Sequence, residues 1–71
     1  MNYYVIVLPM TNDGTVNRQI LAFTDFESAK QSFHFQCGKY FNAETVKMAS
    51  VCVIDDLSNQ LLSDSWQRTE V

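Results

Sequence analysis

The residues of this chain that could carry chemistry are few and scattered. His34 is the only histidine, so any imidazole acid-base or nucleophilic scheme must rest on it, and such a scheme needs a nucleophile or carboxylate within hydrogen-bond reach. No sequence neighbour suggests one. His34 lies one turn after Lys30 in a helical pattern and off its apolar stripe, and reads as a solvated surface side chain. Asp55, Asp56 and Asp64 could be imagined as ligands of a hard cation. The central Gly and terminal Glu of a calcium loop are missing, and a turn accounts for the aspartates instead. Cys37 falls in a helical pattern and Cys52 inside a strand pattern, without the dense spacing of a disulfide framework, so both read as reduced core residues. No catalytic, metal or cofactor site is expected.

Charge narrows the partners. The net charge is −3, and the five basic residues, Arg18, Lys30, Lys39, Lys47 and Arg68, form no stripe able to neutralise a run of phosphates. Nucleic-acid binding is not expected, and an acidic mimic of nucleic acid would need denser carboxylates than the eight present. The apolar run near the N-terminus lacks a basic leader and stops at Pro9, and no stretch approaches the roughly 20 apolar residues that span a bilayer. The expected setting is the cytoplasm of a host cell.

The elements that would position these residues follow from periodicity. Tyr3 to Leu8 is apolar at odd and even positions alike, as is Val51 to Ile54, so neither face of either segment suits water if both are strands. The first strand is expected over about residues 2 to 10, with Thr11 to Thr15 reversing the chain through Asp13-Gly14. Val16 to Phe23 returns as a more polar edge strand. Thr24, with Glu27 three residues on, matches a capping box, so a helix should start at Asp25. Phe26, Ala29, Phe33, Cys37 and Tyr40 recur at three- and four-residue intervals and form its buried stripe. The helix end is open: Gly38 would serve as a terminating residue, or the pattern runs on to Phe41. Lys47 to Ile54 gives the third strand, Asp55 to Asn59 a turn, and Leu61 to Gln67 a last strand whose Ser63, Asp64 and Ser65 suit an edge. The tail from Thr69 to Val71 is expected to fray.

The predicted fold is therefore α+β, one small domain over residues 1 to 71 in the order ββαββ. Its four antiparallel strands lie in spatial order 2-1-3-4, with one helix on one face. The two doubly apolar strands fall in the middle, and a single helix can cover one face only. Something else must cover the other, and a second copy of the chain is the economical candidate. Tyr3 and Tyr4 would point to opposite faces. Tyr4, Ile6, Phe35 and Trp66 are the candidate contact residues. Phe35 lies about 200° around the helix from Phe33, towards solvent, where it marks a contact surface or is a lone exposed aromatic. Trp66 either closes the core from the last strand or anchors a partner on the open face.

Tyr3-Tyr4-Val5-Ile6-Val7, the capped helix through Phe33-His34-Phe35, Val51 to Asp56 and the closing Asp64-Ser65-Trp66 together resemble small proteins encoded by bacteriophages and prophages. The resemblance implies a context. Such proteins commonly work by binding, as inhibitors of host proteins, as sequestering modules or as accessory factors. The leading expectation is a non-enzymatic, dimeric binding module acting on a host or phage protein. The alternative is an oligomer that sequesters a small anionic ligand, such as a signalling nucleotide, with Lys30, Lys39 or Arg18 meeting it. A third is a small enzyme using His34.

Overall fold

A computed structural model describes residues 1–67 of the chain. Its elements are β1 (Tyr3–Thr11), β2 (Gln19–Phe23), α1 (Phe26–Phe41), β3 (Val46–Asp55) and β4 (Gln60–Gln67). The strands form one antiparallel sheet in the order β2-β1-β3-β4, and α1 packs on one face, so the fold is the expected α+β arrangement. Among the described residues no helix is long and apolar enough to cross a membrane. The expectations for Arg68 and for the tail from Thr69 to Val71 lie outside the described residues.

Both hairpins are closed by the same five-residue turn. In the first, the Thr11 N–H donates to the Thr15 carbonyl at 2.8 Å and the Gly14 N–H to the Thr11 carbonyl at 2.9 Å. In the second, Asp55 and Asn59 pair likewise at 3.2 Å, and the Ser58 N–H donates to the Asp55 carbonyl at 3.0 Å. The fourth residue must be left-handed to match the strand twist, and Gly14 sits at φ 92° while Ser58 holds φ 64°. Each loop is pinned by an aspartate. Asp55 accepts from the N–H groups of Leu57 and Asn59, both at 2.9 Å, and from Asn59 Nδ2 at 3.2 Å. Asp13 accepts from the Thr15 N–H at 3.0 Å and from the Thr11 hydroxyl.

The second strand is shorter than its apolar pattern predicts. Val16 meets β1 through a bridge to Met10, and the Asn17 N–H donates to the Pro9 carbonyl at 3.1 Å. Pro9 has no N–H to return the second bond of that pair, so the ladder is interrupted there and regular pairing begins at Gln19. The gap falls towards the polar edge strand, while the pairing of Pro9 with Ala49 on the β3 side is kept.

The helix begins one residue later than a Thr24 cap would place it. Asp25 is the N-cap, extended at φ −134° and ψ 151°, and its carboxylate accepts from the Ser28 N–H at 2.9 Å. A carboxylate there meets both an orphan donor and the positive end of the helix dipole. At the other end the helix runs through Gly38 to Phe41. Asn42 caps it, its Nδ2 donating to the Gly38 carbonyl at 2.9 Å. With the carbonyls supplied by Asn42, Gly38 is not needed as a left-handed terminator.

The core between helix and sheet is thin. Ala29 and Phe33 of α1 lie on Val5, Val7, Val51 and Val53, and those four valines are the largest fully buried side chains. Tyr3, Leu21, Phe23, Phe26, Cys37, Tyr40 and Leu62 surround them, partly buried. Gln36 joins this stripe unannounced by its polarity: it is buried, and its Oε1 has no hydrogen-bond partner among the described residues.

Candidate interaction surface

Strand register assigns the side chains of residues 3–10 of β1 and 48–55 of β3 to a face. Tyr3, Val5, Val7 and Pro9 of β1 pair with Asp55, Val53, Val51 and Ala49 of β3, and this is the face α1 covers. The intervening residues, Tyr4, Ile6, Leu8 and Met10 of β1 and Met48, Ser50, Cys52 and Ile54 of β3, therefore share the opposite face. Ile20 and Ala22 of β2 and Ser63, Ser65 and Gln67 of β4 extend it. No element of the described residues packs there. Apart from Tyr3 and Asp55 at one end, the central strands give the covered face only valine, alanine and proline; their larger aliphatics, Ile, Leu and Met, stand on the uncovered one. Leu8 is 38% exposed and Ile20 58%. None of these uncovered residues is charged at neutral pH.

The face is not flat. At one end Leu8, Met10, Val16 and Met48 line a groove of about 440 Å³ with Trp66 and Gln67 at its side. Two methionines among its walls give it adaptable, polarisable lining. At the other end Asp56 closes the rim, accepting the Asn2 N–H at 2.8 Å and the Tyr4 hydroxyl at 3.1 Å. That hydrogen bond and the carboxylate's charge push the Tyr4 phenol above its ordinary pKa, so Tyr4 stays a neutral donor.

Of the residues singled out from sequence, Tyr4 and Ile6 lie on this open face. Phe35 is on the far side of the molecule, on the outer surface of α1, and 66% exposed. Trp66 pairs with Ala49 and so lies on the helix side, where its ring stacks on Phe41 at 6.1 Å and 21°. The ring is half-buried, stands outside the valine cluster and its partly buried surround, and also borders the groove of the open face, so neither of its two readings holds alone. The sequence pattern passed over Leu8, Met10, Val16, Met48 and Ile20 as contact residues. Alternation alone could have found Leu8 and Met10, because they continue the even-numbered face of Tyr4 and Ile6; Val16 is brought in only by its bridge to Met10.

The groups with catalytic potential do not converge. His34 is exposed on α1 and makes an edge contact with the Phe33 ring at 5.2 Å. Asp55 is buried in its hairpin and held below the usual carboxylate range, chiefly by the Asn59 N–H. Asp56 serves Asn2 and Tyr4, and Asp64 accepts from the Ser65 N–H at 2.9 Å. Among the described residues no three His, Cys, Asp or Glu side chains are grouped so that they could hold a metal ion. Cys37 and Cys52 are free thiols on opposite sides of the sheet. Burial raises the pKa of both, the Asp64 charge adding to it at Cys37, so neither is an activated thiolate. Lys30 and Lys39 are nine residues apart on α1, which puts them roughly 13 Å apart along the axis and on opposite sides of the helix. Lys39 lies over the Tyr40 ring at 5.1 Å. These cations form no anion pocket.

No known family matches the chain, and neither a curated protein nor a solved structure does.

Proposed function

We propose that this protein is a non-enzymatic binding module whose working surface is the uncovered face of its sheet. The observation that carries this reading is the inverted distribution of bulk across the central strands: valines and alanines are buried under the helix, while Ile6, Leu8, Met10, Met48 and Ile54 face outwards. Soluble domains rarely leave a sheet face with this many large aliphatic side chains uncovered unless it meets another molecule. The separation of His34 from the carboxylates and thiols supports a binding role over a hydrolytic one, and the scatter of Arg18, Lys30 and Lys39 weighs against sequestration of a small anion. A cytoplasmic setting, and a role against a host or phage protein of the kind small phage proteins fill, fits two free thiols and a net negative charge.

Leu8→Arg and Tyr4→Asp on the face, with Phe35→Asp on the helix as the opposing probe, test the reading. All three positions lie outside the core, so the variants should fold, as circular dichroism will verify. The face variants should alter the protein's associations in co-purification and native mass spectrometry. If both leave every association unchanged, the sheet face is not the working surface.

A further inference from the structure

We infer that the open sheet face is covered by a second copy of the same chain, giving a two-fold sandwich in which the two sheets meet and the two helices lie outermost. This rests on the reading of that face as the contact surface, and it names the occupant. Charge supplies the first reason. A chain of net charge −3 repels its own copy, so self-association favours an uncharged surface, and the register-paired residues of this face carry no charge, Asp56 standing only at its rim. A partner of opposite charge would gain nothing from it.

Area supplies the second. Four strands of nine, five, ten and eight residues, at about 3.3 Å per residue and about 4.8 Å spacing, present roughly 500 Å² before side-chain relief is counted. The groove formed by Leu8, Met10, Val16 and Met48 deepens the face at one end. That approaches the 600 Å² or so per partner at which small specific interfaces become stable. Thinness of the monomer core is the third reason. Chains of this size seldom bury enough apolar surface alone, and here the fully buried side chains reach no larger than valine.

In an isologous pairing the residues at the middle of the face meet their own counterparts. Ile6 and Cys52 are register partners there. Sheets stacked in this way sit about 10 Å apart and cross at about −30°. The arrangement leaves both copies of Phe35 on the outer helices, free to engage a target twice.

The test is sedimentation and native mass spectrometry of the full chain between about 1 and 100 μM, in parallel with Leu8→Arg, Ile6→Arg and Phe35→Asp, each checked for fold by circular dichroism. The parent and Phe35→Asp should weigh twice 8.2 kDa. A folded Leu8→Arg should weigh 8.2 kDa, its dimer weakened on the order of a hundredfold or more by paired like charges. Leu8 is already part exposed, so this variant stays informative if Ile6→Arg fails to fold. A parent that remains at 8.2 kDa throughout overturns the inference. If that monomer binds an apolar dye and Leu8→Arg abolishes the binding, the contact-surface reading survives with another partner; if Leu8→Arg changes nothing, both fail. A dimer that Leu8→Arg leaves intact also overturns the inference, since it forms elsewhere.

Discussion

Truncating one side chain on each face of the sheet separates a monomer from a covered dimer by energetics alone. Val53 is fully buried under the helix, and Val53→Ala deletes two methyl carbons worth about 1.6 kcal/mol of transfer, which the residual cavity raises to about 2 to 3 kcal/mol. That is a large share of the roughly 4 to 10 kcal/mol expected for a domain this size, and should lower Tm by about 10 to 20 °C. Ile6 lies one residue from Val5, on the other face and half-buried in the isolated chain. Ile6→Ala deletes three carbons, worth about 2.4 kcal/mol if fully covered and about 1 kcal/mol if half of that area already meets water. Covered by a second copy, it must therefore cost as much per chain as Val53→Ala. Its cost must also depend on concentration, because dissociation is linked to unfolding. Urea titrations at about 1 and 100 μM, followed by the fluorescence of Trp66 on Phe41, measure both quantities. An Ile6→Ala cost of about 1 kcal/mol or less, identical at both concentrations, would refute the covered face. A Val53→Ala cost below about 1 kcal/mol would refute the claim that the valine layer is the monomer's core.

Other perturbations test the local structure. Ser58 holds a left-handed backbone that Gly14 adopts without cost in the matching turn, so Ser58→Gly should raise stability by roughly 0.5 kcal/mol in urea titration. Asp25→Ala removes the cap on the Ser28 N–H and should cost about 1 kcal/mol by the same assay. Gln36→Leu replaces a buried amide oxygen lacking a partner and should be neutral or stabilising by about 1 kcal/mol; a loss above 1 kcal/mol would mean that the oxygen is satisfied in solution. Asp13 is lowered to about 2, first by the Thr11 hydroxyl, and Asp55 is lowered by the Asn59 N–H. The folded values lie below the unfolded ones, so the stability these carboxylates lend is complete above about pH 5 and is lost as pH falls towards the folded values. The urea midpoint should drop between pH 5 and pH 2.5, and Asp13→Asn together with Asp55→Asn should flatten that dependence.

Much of this architecture is decided by local sequence. The two hairpins follow from five-residue turns carrying an aspartate and a residue able to go left-handed. The helix follows from a capped start and an apolar stripe at helical spacing, and the strand order from polarity, since segments apolar on both faces need neighbours on both sides. Even the open face is foreshadowed, because Tyr3 to Leu8 has more apolar sides than one helix can cover. What tertiary structure decided is where each marginal side chain spends its surface. Pro9 shortens the second strand only because its missing N–H happens to face that neighbour. Gly38 stays inside the helix because Asn42 reaches back to its carbonyl. Gln36 is buried despite its polarity because the helix face it shares with Phe33 and Tyr40 leaves it no route to water. Trp66 goes to the helix side because its register partner is Ala49, a pairing set by the Leu61–Leu62 irregularity opposite Val53. Sequence alternation names two faces for each strand; only the packing of the single helix chooses which one holds the valines and which presents isoleucine, leucine and methionine outwards.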